Sequence, residues 1–366
     1  MTGRPRVVIA GGGTGGHLFP GLAVADALAA RGFAVTFIGT AAGIEARLVP
    51  GAGYELRLVP GRQLRGGGVV RGVVGLAAAL RGALASLGLL REIGPRLVVG
   101  VGGYASVAVA LAARVRGIPT VLLEQNAVPG GANRLLGRIA ARVCVGFEET
   151  VALFPAGRAV CTGNPVRADV LRPRVRPSGR GLGLLVLGGS QGAHRLNQAM
   201  LEALPGLGPA AHELAITHQT GTADRDAVAA GYTARGLAAR VEAFVSDMGG
   251  AYAAADLVVS RAGAMSCAEI TAVGLPCILV PYPHAADDHQ RRNAEVLVRA
   301  GAARLVLDRD LTGPRLAAEI GALVAGHGER ATMAAAARAL GRRDAAERVV
   351  AECLRLAEDA RVASGA

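Results

Sequence analysis

The chain has 366 residues, of which 51% are hydrophobic and 19% charged, with a formal net charge of +12. This hydrophobic content excludes an intrinsically disordered protein, and the length predicts two domains of ordinary size. The five cysteines are widely spaced and form no Cys-x-x-Cys pair, which excludes a disulfide framework and a zinc ribbon and favours a reducing, cytoplasmic setting.

Short β-rich runs alternate with Ala- and Leu-rich helical stretches, a pattern typical of parallel sheets. The first half predicts strands at Val7–Ala10, Val35–Ile38, Leu97–Val101, Thr120–Leu123 and Val143–Val145. After a turn-rich break at Gly163–Pro165, the second half predicts strands at Leu184–Leu187, Leu214–Thr217, Val241–Phe244, Leu257–Ser260, Ile278–Val280 and Arg304–Leu307. Two such series predict an α/β protein with two doubly wound domains, whose ligands bind beyond the carboxyl ends of the strands.

The predicted domain limits follow from these series. The first domain comprises residues 1–163, and the second comprises residues 164–342. A helix predicted at Asp344–Ala360 is expected to cross back, which adds residues 343–366 to the first domain.

No segment predicts a transmembrane span, which needs roughly 18 consecutive apolar residues. The uncharged run Leu97–Ala113 is interrupted by glycines, and the run Ile270–Ala286 is interrupted by prolines. Because Met1 is followed almost at once by the first strand, we expect no signal peptide. The sequence therefore predicts a soluble or peripheral protein.

Three glycine-rich loops follow predicted strands, at Gly11–His17, Gly100–Tyr104 and Gly188–Ala193. Such loops leave free backbone amides at a helix start, where a phosphate can bind. The first loop matches the dinucleotide pattern G-x-G-x-x-G, but Arg31–Thr40, where the ribose-binding acid belongs, contains no Asp or Glu. The loops therefore argue against NAD or FAD and indicate phosphate binding from two sides.

His17 closes the first glycine loop at the predicted start of a helix. The helix dipole disfavours an imidazolium there, and a neutral imidazole can remove a proton from a sugar hydroxyl. The same side chain could instead hydrogen-bond a loop or a ligand phosphate. The sequence leaves both roles open.

A set of motifs resembles one family in the family's own order along nearly the whole chain. The motifs are Gly11–Pro20, Gly100–Tyr104, Glu124–Asn126, Gly163–Arg167, Gly188–Ala193, Arg261–Glu269, and Pro281–His284 with Asp288–Gln290. They resemble the lipid I N-acetylglucosaminyltransferases of bacterial peptidoglycan synthesis, the MurG family. The resemblance implies the GT-B fold, in which two Rossmann-like domains face each other across a cleft.

The resemblance also implies a reaction. N-acetylglucosamine would pass from UDP-N-acetylglucosamine (UDP-GlcNAc) to the 4-hydroxyl of the N-acetylmuramoyl unit of lipid I, with inversion, giving lipid II and UDP. It implies no metal and no cofactor. Two Asp-x-Asp pairs, Asp224–Asp226 and Asp308–Asp310, could suggest a divalent ion, but Thr312 directly after the second pair predicts a helix N-cap.

On the donor side, the resemblance implies a UDP-GlcNAc site in the second domain. In that site Glu269 would bind the ribose diol, a backbone amide at Val245 would read the uracil edge, and Arg167 would add donors to the diphosphate. Without the resemblance, Glu269 reads as a helix-start carboxylate and Arg167 as a linker charge. The matching residues are Arg167, Ser190, Gln191, Gly192, Val245, Ala264, Met265, Ser266, Cys267, Ala268, Glu269 and Gln290.

On the acceptor side, the residues that match the family's cluster are Thr14, Gly15, Gly16, His17, Tyr104 and Asn126. Tyr104 and Asn126 fit turn positions equally well. His289 stands where some members carry Gln, and it is assigned no role.

The segment Arg57–Arg96 carries seven Arg and a single acid, Glu92. Its hydrophobic stripe, from Val69 to Leu87, predicts a helix packed on the first sheet, and the Arg excess suits an anionic membrane surface. The resemblance implies peripheral attachment at the cytoplasmic face of the plasma membrane, with cell-wall synthesis and division proteins as partners. Nucleic acid is not expected, because the chain lacks lysine and has few aromatics for stacking.

Two other functions remain open at this stage. A different UDP-sugar enzyme on the same fold, such as a glycolipid synthase or a sugar 2-epimerase, would share the donor motifs. A non-catalytic UDP-sugar-binding or membrane scaffold protein would keep Glu269 without needing His17.

Overall fold

The computed structural model describes residues 4–60, 69–173, 181–189 and 192–363; for 69–80 and 359–363 it describes the backbone only. The chain divides into two compact units, each described here by itself. Unit 1 is drawn from Met1–Arg167 and Asp344–Ala366, and unit 2 is Ala168–Arg343.

Unit 1 contains a parallel seven-stranded sheet in the order β3-β2-β1-β4-β5-β6-β7. Its strands are β1 (Arg6–Gly11), β2 (Ala34–Gly39), β3 (Glu55–Leu58), β4 (Leu97–Gly102), β5 (Thr120–Glu124), β6 (Arg142–Val145) and β7 (Ala159–Cys161). Its helices are α1 (Gly15–Ala29), α2 (Glu45–Gly51), α3 (Val69–Ile93), α4 (Tyr104–Val115) and α5 (Gly131–Leu136), with a 3-10 helix at Glu148–Leu153. The strand order reverses between β1 and β4, which is where a doubly wound sheet binds ligands.

Unit 2 contains a parallel six-stranded sheet in the order β10-β9-β8-β11-β12-β13. Its strands are β8 (Leu182–Leu187), β9 (Leu214–Gln219), β10 (Ala239–Glu242), β11 (Leu257–Ser260), β12 (Cys277–Leu279) and β13 (Ala303–Leu305). Its helices are α6 (His194–Leu207), α7 (Arg225–Thr233), α8 (Met248–Ala254), α9 (Ala264–Val273), α10 (His289–Arg299), α11 (Gly313–Ala325) and α12 (His327–Leu340). The described residues of unit 2 also form 3-10 helices at Gly208–Glu213, Ala286–Asp288 and Asp308–Asp310.

The C-terminal helix α13 (Ala345–Ala363) belongs to unit 1. Its residues Val349, Val350 and Cys353 are fully buried in the same hydrophobic cluster as Val24 and Leu28 of α1. Burial of three such side chains contributes several kcal/mol to unit 1, at about 1.5–3 kcal/mol for each large apolar side chain. Residues distant in sequence therefore complete one core.

The boundary after the first sheet lies four residues beyond the predicted position. Asn164 donates from Nδ2 to the Gln125 carbonyl at 2.9 Å, and the Arg167 guanidinium lies 4.7 Å from the centre of the Phe19 ring. These contacts tie residues 164–167 to unit 1, whereas the turn pattern alone placed them in the second domain. The second boundary, at Arg343/Asp344, is one residue beyond the predicted one.

The predicted strands are all present, and β11 has the predicted limits. The edge strands β3 and β7 were missed because they are short and lack a buried face. Strand β10 begins and ends two residues earlier than predicted, because the chain leaves the sheet after Glu242. The capping role predicted for Thr312 is confirmed, since its hydroxyl accepts a hydrogen bond from the Arg315 amide at 3.3 Å.

The predicted helix in the Arg-rich segment is α3. Toward its C-terminal end Leu90 and Ile93 are buried, as expected for a helix packed on the sheet, whereas Leu84 of the predicted stripe is 67% exposed. The N-terminal half of the stripe and Arg65 lie outside the described side chains. No helix in the described part of the chain has the length and hydrophobicity to cross a bilayer.

Candidate active site

In unit 1, two glycine-rich loops meet at the carboxyl ends of β1 and β4. Gly102 and Gly103 have φ of +106° and +81°, which favour glycine. A Cβ on Gly102 would lie 2.6 Å from Cδ2 of His17, and one on Gly103 would lie 2.7 Å from the Gly12 carbonyl oxygen. The second loop therefore needs glycine so that the first loop and the His17 ring can approach it closely.

His17 lies in the first turn of α1, as the sequence predicted, and its side chain is partly exposed. Its backbone amide donates to the Thr14 carbonyl at 3.2 Å, and its Nδ1 lies 3.4 Å from the Thr14 hydroxyl oxygen. Of the neighbouring predicted residues, Thr14 and Gly16 are exposed and Gly15 is buried. The loop thus presents an imidazole at the carboxyl edge of the sheet, close to a hydroxyl that can orient it.

Tyr104 and Asn126, the remaining acceptor-side candidates, lie at the same edge and are both partly buried. The Tyr104 hydroxyl is buried and has no hydrogen-bond partner among the described residues, and burial raises its pKa. Asn126 is held by its own loop, because its backbone amide donates to Oε1 of Glu124 at 2.9 Å. Glu124 also accepts from Gly130 and Asn133, so this carboxylate organises the loop after β5.

Arg167, predicted on the donor side, lies in unit 1 with its guanidinium stacked over the Phe19 ring of α1. Stacking of this kind fixes the plane of a guanidinium while leaving its N–H fork able to bind an anion.

Sequence reasoning missed Glu45, the first residue of α2. Its carboxylate is 1% exposed and accepts a hydrogen bond from the Gly13 amide at 2.7 Å. No local pattern marks it, because Gly13 and Glu45 are 32 residues apart and meet only in the folded sheet.

In unit 2, the loop after β8 has its predicted place at the carboxyl end of the sheet. Ser190 and Gln191 lie outside the described residues. Gly192 has φ of +78° and packs against the backbone of Thr220 and Gly221, which follow the adjacent strand β9. A side chain at Gly192 would collide with that backbone, so glycine is required there.

A buried polar network, also missed by sequence reasoning, stands behind this loop. Asn197 donates from Nδ2 to the Thr220 carbonyl at 2.9 Å and to Oδ2 of Asp224 at 2.7 Å. Its Oδ1 must therefore accept from Nε2–H of His218, 3.1 Å away. Nδ1 of His218 then accepts from the Tyr232 hydroxyl at 3.0 Å. Burial favours the neutral form of His218, in which each of these contacts has a donor and an acceptor.

We expect the stability of the protein to fall as the pH is lowered from 6.5 toward 4. Burial lowers the pKa of His218 from 6.5 to about 4, so in this interval the unfolded chain binds a proton that the folded chain refuses. The contribution is fully present above pH 6.5, and about 2 kcal/mol is lost by about pH 5. Urea denaturation at pH 6.5 and at about pH 5 measures this loss of stability. His218→Gln should flatten the dependence of the unfolding free energy on pH, and His212→Gln, at an exposed position, should leave it unchanged. An unaltered pH slope in His218→Gln would contradict the assignment.

The segment Ala264–Glu269 forms the first two turns of α9, directly beyond β11. Ala264, Met265 and Cys267 are buried, and burial raises the pKa of the Cys267 thiol to about 12. Their side chains therefore pack into the core, and a ligand could contact these three residues only through their backbone. The N-cap residue is Gly263, which has no side chain to occupy those amides.

Glu269 is 9% exposed, and Oε2 accepts a hydrogen bond from the Tyr252 hydroxyl at 3.0 Å. Tyr252, on α8, is fully buried; burial and the neighbouring Glu269 carboxylate raise its pKa far above the usual range, so the hydroxyl keeps its proton and donates. A carboxylate offers about four acceptor positions, so Glu269 can accept further hydrogen bonds at the sheet edge.

Val245 and Gln290 also lie beyond carboxyl ends of strands in unit 2. Val245 is buried just after β10, so only its backbone could contact a ligand. Gln290 accepts through Oε1 from the Tyr282 amide at 2.9 Å, which orients its amide group at the start of α10. Ser266 and Ala268, the other α9 candidates, are partly exposed.

The two Asp-x-Asp pairs are engaged by protein donors. Asp308 pairs with the buried Arg261 at 2.7 Å and with Arg195 at 3.5 Å, and Asp224 pairs with His194 at 2.9 Å. Across the described residues, no group of three His, Cys, Asp or Glu is arranged to hold a metal ion.

An open cavity of about 360 Å³ in unit 1 is lined by Pro119 and Thr120, at the amino end of β5. It lies at the sheet edge opposite the glycine loops, because parallel strands share one carboxyl edge. We therefore do not assign it to the site.

Comparison with known proteins follows the same division. The N-terminal domain model of glycosyltransferase family 28 matches residues 7–145, and the C-terminal domain model matches residues 183–349. In Geobacter sp. (strain M21), the UDP-N-acetylglucosamine--N-acetylmuramyl-(pentapeptide) pyrophosphoryl-undecaprenol N-acetylglucosamine transferase is 49% identical over 351 residues, which cover 94% of this chain and 95% of that protein. The protein of the same name from Syntrophus aciditrophicus (strain SB) is 44% identical over 95% of this chain and 98% of its own length.

Solved structures indicate the same family as the sequence relatives. The crystal structure of MurG from Acinetobacter baumannii matches with a TM-score of 0.78 and 32% identity, covering 96% of this chain and 99% of that one. A putative UDP-N-acetylglucosamine 2-epimerase from Listeria monocytogenes matches with a TM-score of 0.68 over 96% of this chain and 95% of that one, but at 16% identity it shares the fold alone. The predicted GT-B fold class is confirmed. The chain belongs to glycosyltransferase family 28 and, within it, to the MurG family of N-acetylglucosamine transferases.

Proposed function

We propose that this enzyme transfers N-acetylglucosamine from UDP-GlcNAc to the 4-hydroxyl of the N-acetylmuramoyl unit of lipid I, with inversion, giving lipid II and UDP. The observation that carries the proposal is the identity of 49% over 94% of the chain with a transferase of that name. The geometry supports the proposal, since the acceptor-side residues lie at the carboxyl edge of the sheet in unit 1 and the described donor-side residues other than Arg167 lie at that edge in unit 2.

Unit 1 supplies the acceptor side. His17 is partly exposed beside the Thr14 hydroxyl, where a neutral imidazole can take the proton from an attacking sugar hydroxyl. Thr14, Gly15 and Gly16 shape the same loop, and Tyr104 and Asn126 line the neighbouring strand ends. We assign His17 as the general base.

Unit 2 supplies the donor side. Glu269, held by Tyr252, accepts from the ribose hydroxyls, and the amides at the start of α9 and around Val245 serve the rest of the nucleotide. The Ser190–Gly192 loop binds the diphosphate, and Gln290 contacts the sugar. The contributing α9 residues run from Ala264 through Met265, Ser266, Cys267 and Ala268 to Glu269.

The departing UDP is stabilised without a metal in this proposal. Helix N-termini supply positive potential to the negative charge that develops on the diphosphate, and in this proposal Arg167 is a further source of N–H donors for it. The engagement of Asp308 and Asp224 by Arg and His side chains supports this, because neither carboxylate pair is left to bind a cation.

Replacing Tyr252 by phenylalanine is expected to raise KM for UDP-GlcNAc about fivefold. The lost hydrogen bond to the Glu269 carboxylate is worth about 1.5–3 kcal/mol, and about 1 kcal/mol of this loss is expected to reach the nucleotide through the orientation of Glu269. KM for the lipid acceptor should stay unchanged, as Tyr252 acts through Glu269. Tyr232→Phe is the matched control, since it removes an equally buried hydroxyl bonded to His218 in the same unit. Equal KM values in the two variants would contradict a role for Tyr252 in donor binding.

Peripheral attachment to the cytoplasmic membrane surface is part of the proposal. Along α3, α4 and α5, exposed apolar side chains alternate with exposed arginines: Leu84, Val115 and Leu135 are 67%, 76% and 64% exposed. Among the described side chains, the exposed arginines on or just after these helices are Arg81, Arg91, Arg114, Arg116, Arg134 and Arg138. Apolar side chains can enter the headgroup region while each arginine contributes about 1 kcal/mol toward an anionic leaflet.

Co-sedimentation with anionic liposomes tests this surface. Changing Arg81, Arg114 and Arg134 to Glu should reduce the bound fraction by more than tenfold, because three charges change sign, a change of six charge units at about 1 kcal/mol each near the surface. Arg235→Glu, at an exposed position in unit 2, is the control and should bind like the wild type. Unchanged binding of the triple variant would rule out this docking surface.

The reaction itself is tested with radiolabelled UDP-GlcNAc, a lipid I analogue and EDTA. Transfer of label to the lipid product is expected at the same rate with and without EDTA. Failure to transfer, with an acceptor verified by a known transferase, would favour another UDP-sugar enzyme. Activity abolished by EDTA and restored by a divalent ion would overturn metal independence.

A further inference from the structure

Glu45 is a buried carboxylate to which the reaction proposed above assigns no part. Its Oε2 accepts from the Gly13 amide at 2.7 Å, and its Oε1 accepts from the Thr40 amide and the Thr40 hydroxyl, each at 2.9 Å. With 1% of its surface exposed, Glu45 is held from two loops at once. A carboxylate with three donors suits this position, because it only accepts hydrogen bonds.

The Gly13 amide belongs to the loop whose sequence predicted phosphate binding. Phosphate-binding glycine loops point free amides at the ligand. Here the Gly12 amide donates to the Gly102 carbonyl at 3.2 Å, and the Gly13 amide donates to Glu45. The two central amides are therefore satisfied inside the protein, and a phosphate placed at them would also face the negative charge of Glu45.

The glycines around Glu45 fit this arrangement. A Cβ on Gly12, Gly39 or Gly43 would collide with the Glu45 side chain. Glycine at these three positions thus makes room for an internal carboxylate, and the glycine-rich pattern needs no phosphate to explain it.

The contact between the Gly13 amide and Glu45 also affects the position of His17. Gly13 precedes Thr14, the N-cap residue of α1, whose carbonyl accepts from the amides of His17 at 3.2 Å and Leu18 at 3.1 Å. Fixing Gly13 therefore fixes the start of α1 and the direction of the imidazole.

We propose that Glu45 is a positioning residue that occupies the first glycine loop in place of a phosphate and holds it as the support of His17. The kinetic part of this inference rests on the proposed function of His17. It follows that the diphosphate of the lipid acceptor is bound by groups other than the Gly12 and Gly13 amides.

The kinetic test compares Glu45→Gln with Thr40→Val. Glu45→Gln removes the negative charge and leaves one acceptor oxygen for the Gly13 and Thr40 amides, so the contact with the Gly13 amide is weakened or lost. Thr40→Val removes one donor on the other side and leaves the contact with Gly13 intact. We expect kcat to fall about tenfold or more in Glu45→Gln, with KM for UDP-GlcNAc within about twofold, and kcat near the wild-type value in Thr40→Val. If both variants lose kcat in proportion to their loss of Tm, or if Glu45→Gln keeps its kcat, Glu45 has no positioning role.

A second measurement uses the wild-type protein and needs no turnover. Hydrogen–deuterium exchange resolved to single amides should show slow exchange at Gly12 and Gly13 that does not change when inorganic pyrophosphate is added. Protection of these amides by pyrophosphate would overturn the inference. A wild-type enzyme without transferase activity would disprove the proposed function, yet this exchange result would still decide whether the loop is closed to phosphate.

Discussion

The His17→Ala variant is expected to lose a factor of about 10² to 10⁴ in kcat while KM for UDP-GlcNAc stays within about twofold. The expected split follows from the placement of His17 in unit 1, whereas the proposed donor residues other than Arg167 lie in unit 2. The imidazole lies beside the Thr14 hydroxyl at the carboxyl edge of the first sheet, where it can reach a sugar hydroxyl. Steady-state kinetics with both substrates varied measures the change.

The pH profile decides which role His17 has. If His17 is the general base, His17→Ala should remove the acidic limb of the pH profile of kcat. If His17 only positions the acceptor, the substitution should raise KM for the acceptor and leave that limb in place. His212→Ala, an exposed histidine in unit 2, is the control and should match the wild type. A His17→Ala enzyme with more than half of the wild-type kcat would exclude the general-base role, and an unchanged KM for the acceptor as well would exclude both roles.

The Glu269→Ala variant should weaken UDP binding by a factor of about 10² or more, because each hydrogen bond to a charged group is worth about 1.5–3 kcal/mol and two ribose hydroxyls lose their acceptor. The variant also leaves the buried Tyr252 hydroxyl without the partner it has at 3.0 Å. Isothermal titration with UDP measures the loss directly.

A comparison with 2′-deoxy-UDP isolates the ribose contact. The wild type should prefer UDP over the deoxy analogue, and Glu269→Ala should bind the two nearly equally. Glu319→Gln is a suitable control, since it alters a carboxylate of the same unit that is paired with Arg304 at 2.8 Å. If Glu269→Ala preferred UDP over 2′-deoxy-UDP as strongly as the wild type does, the ribose diol would be bound by a residue other than Glu269.

Several features of the fold were predictable because their signal is local. A continuous apolar run marks β11, and the structure gives it the predicted limits. The Thr-Gly-Pro start of α11 follows from capping preferences within three residues, and its cap is confirmed. The edge strands β3 and β7 escaped prediction because an edge strand pairs on one side and needs little apolar pattern.

The sequence by itself determined the fold class, the strand order along the chain and the family, because these depend on periodicity and on motifs read in order. Only the tertiary structure decided which groups support the site. Glu45 meets Gly13 across 32 residues, and Tyr252 meets Glu269 across 17. It likewise assembled His218, Asn197 and Tyr232 into one buried network. Contacts of this kind leave no local pattern, since parallel strands distant in sequence bring their carboxyl ends to one edge only when the sheet forms.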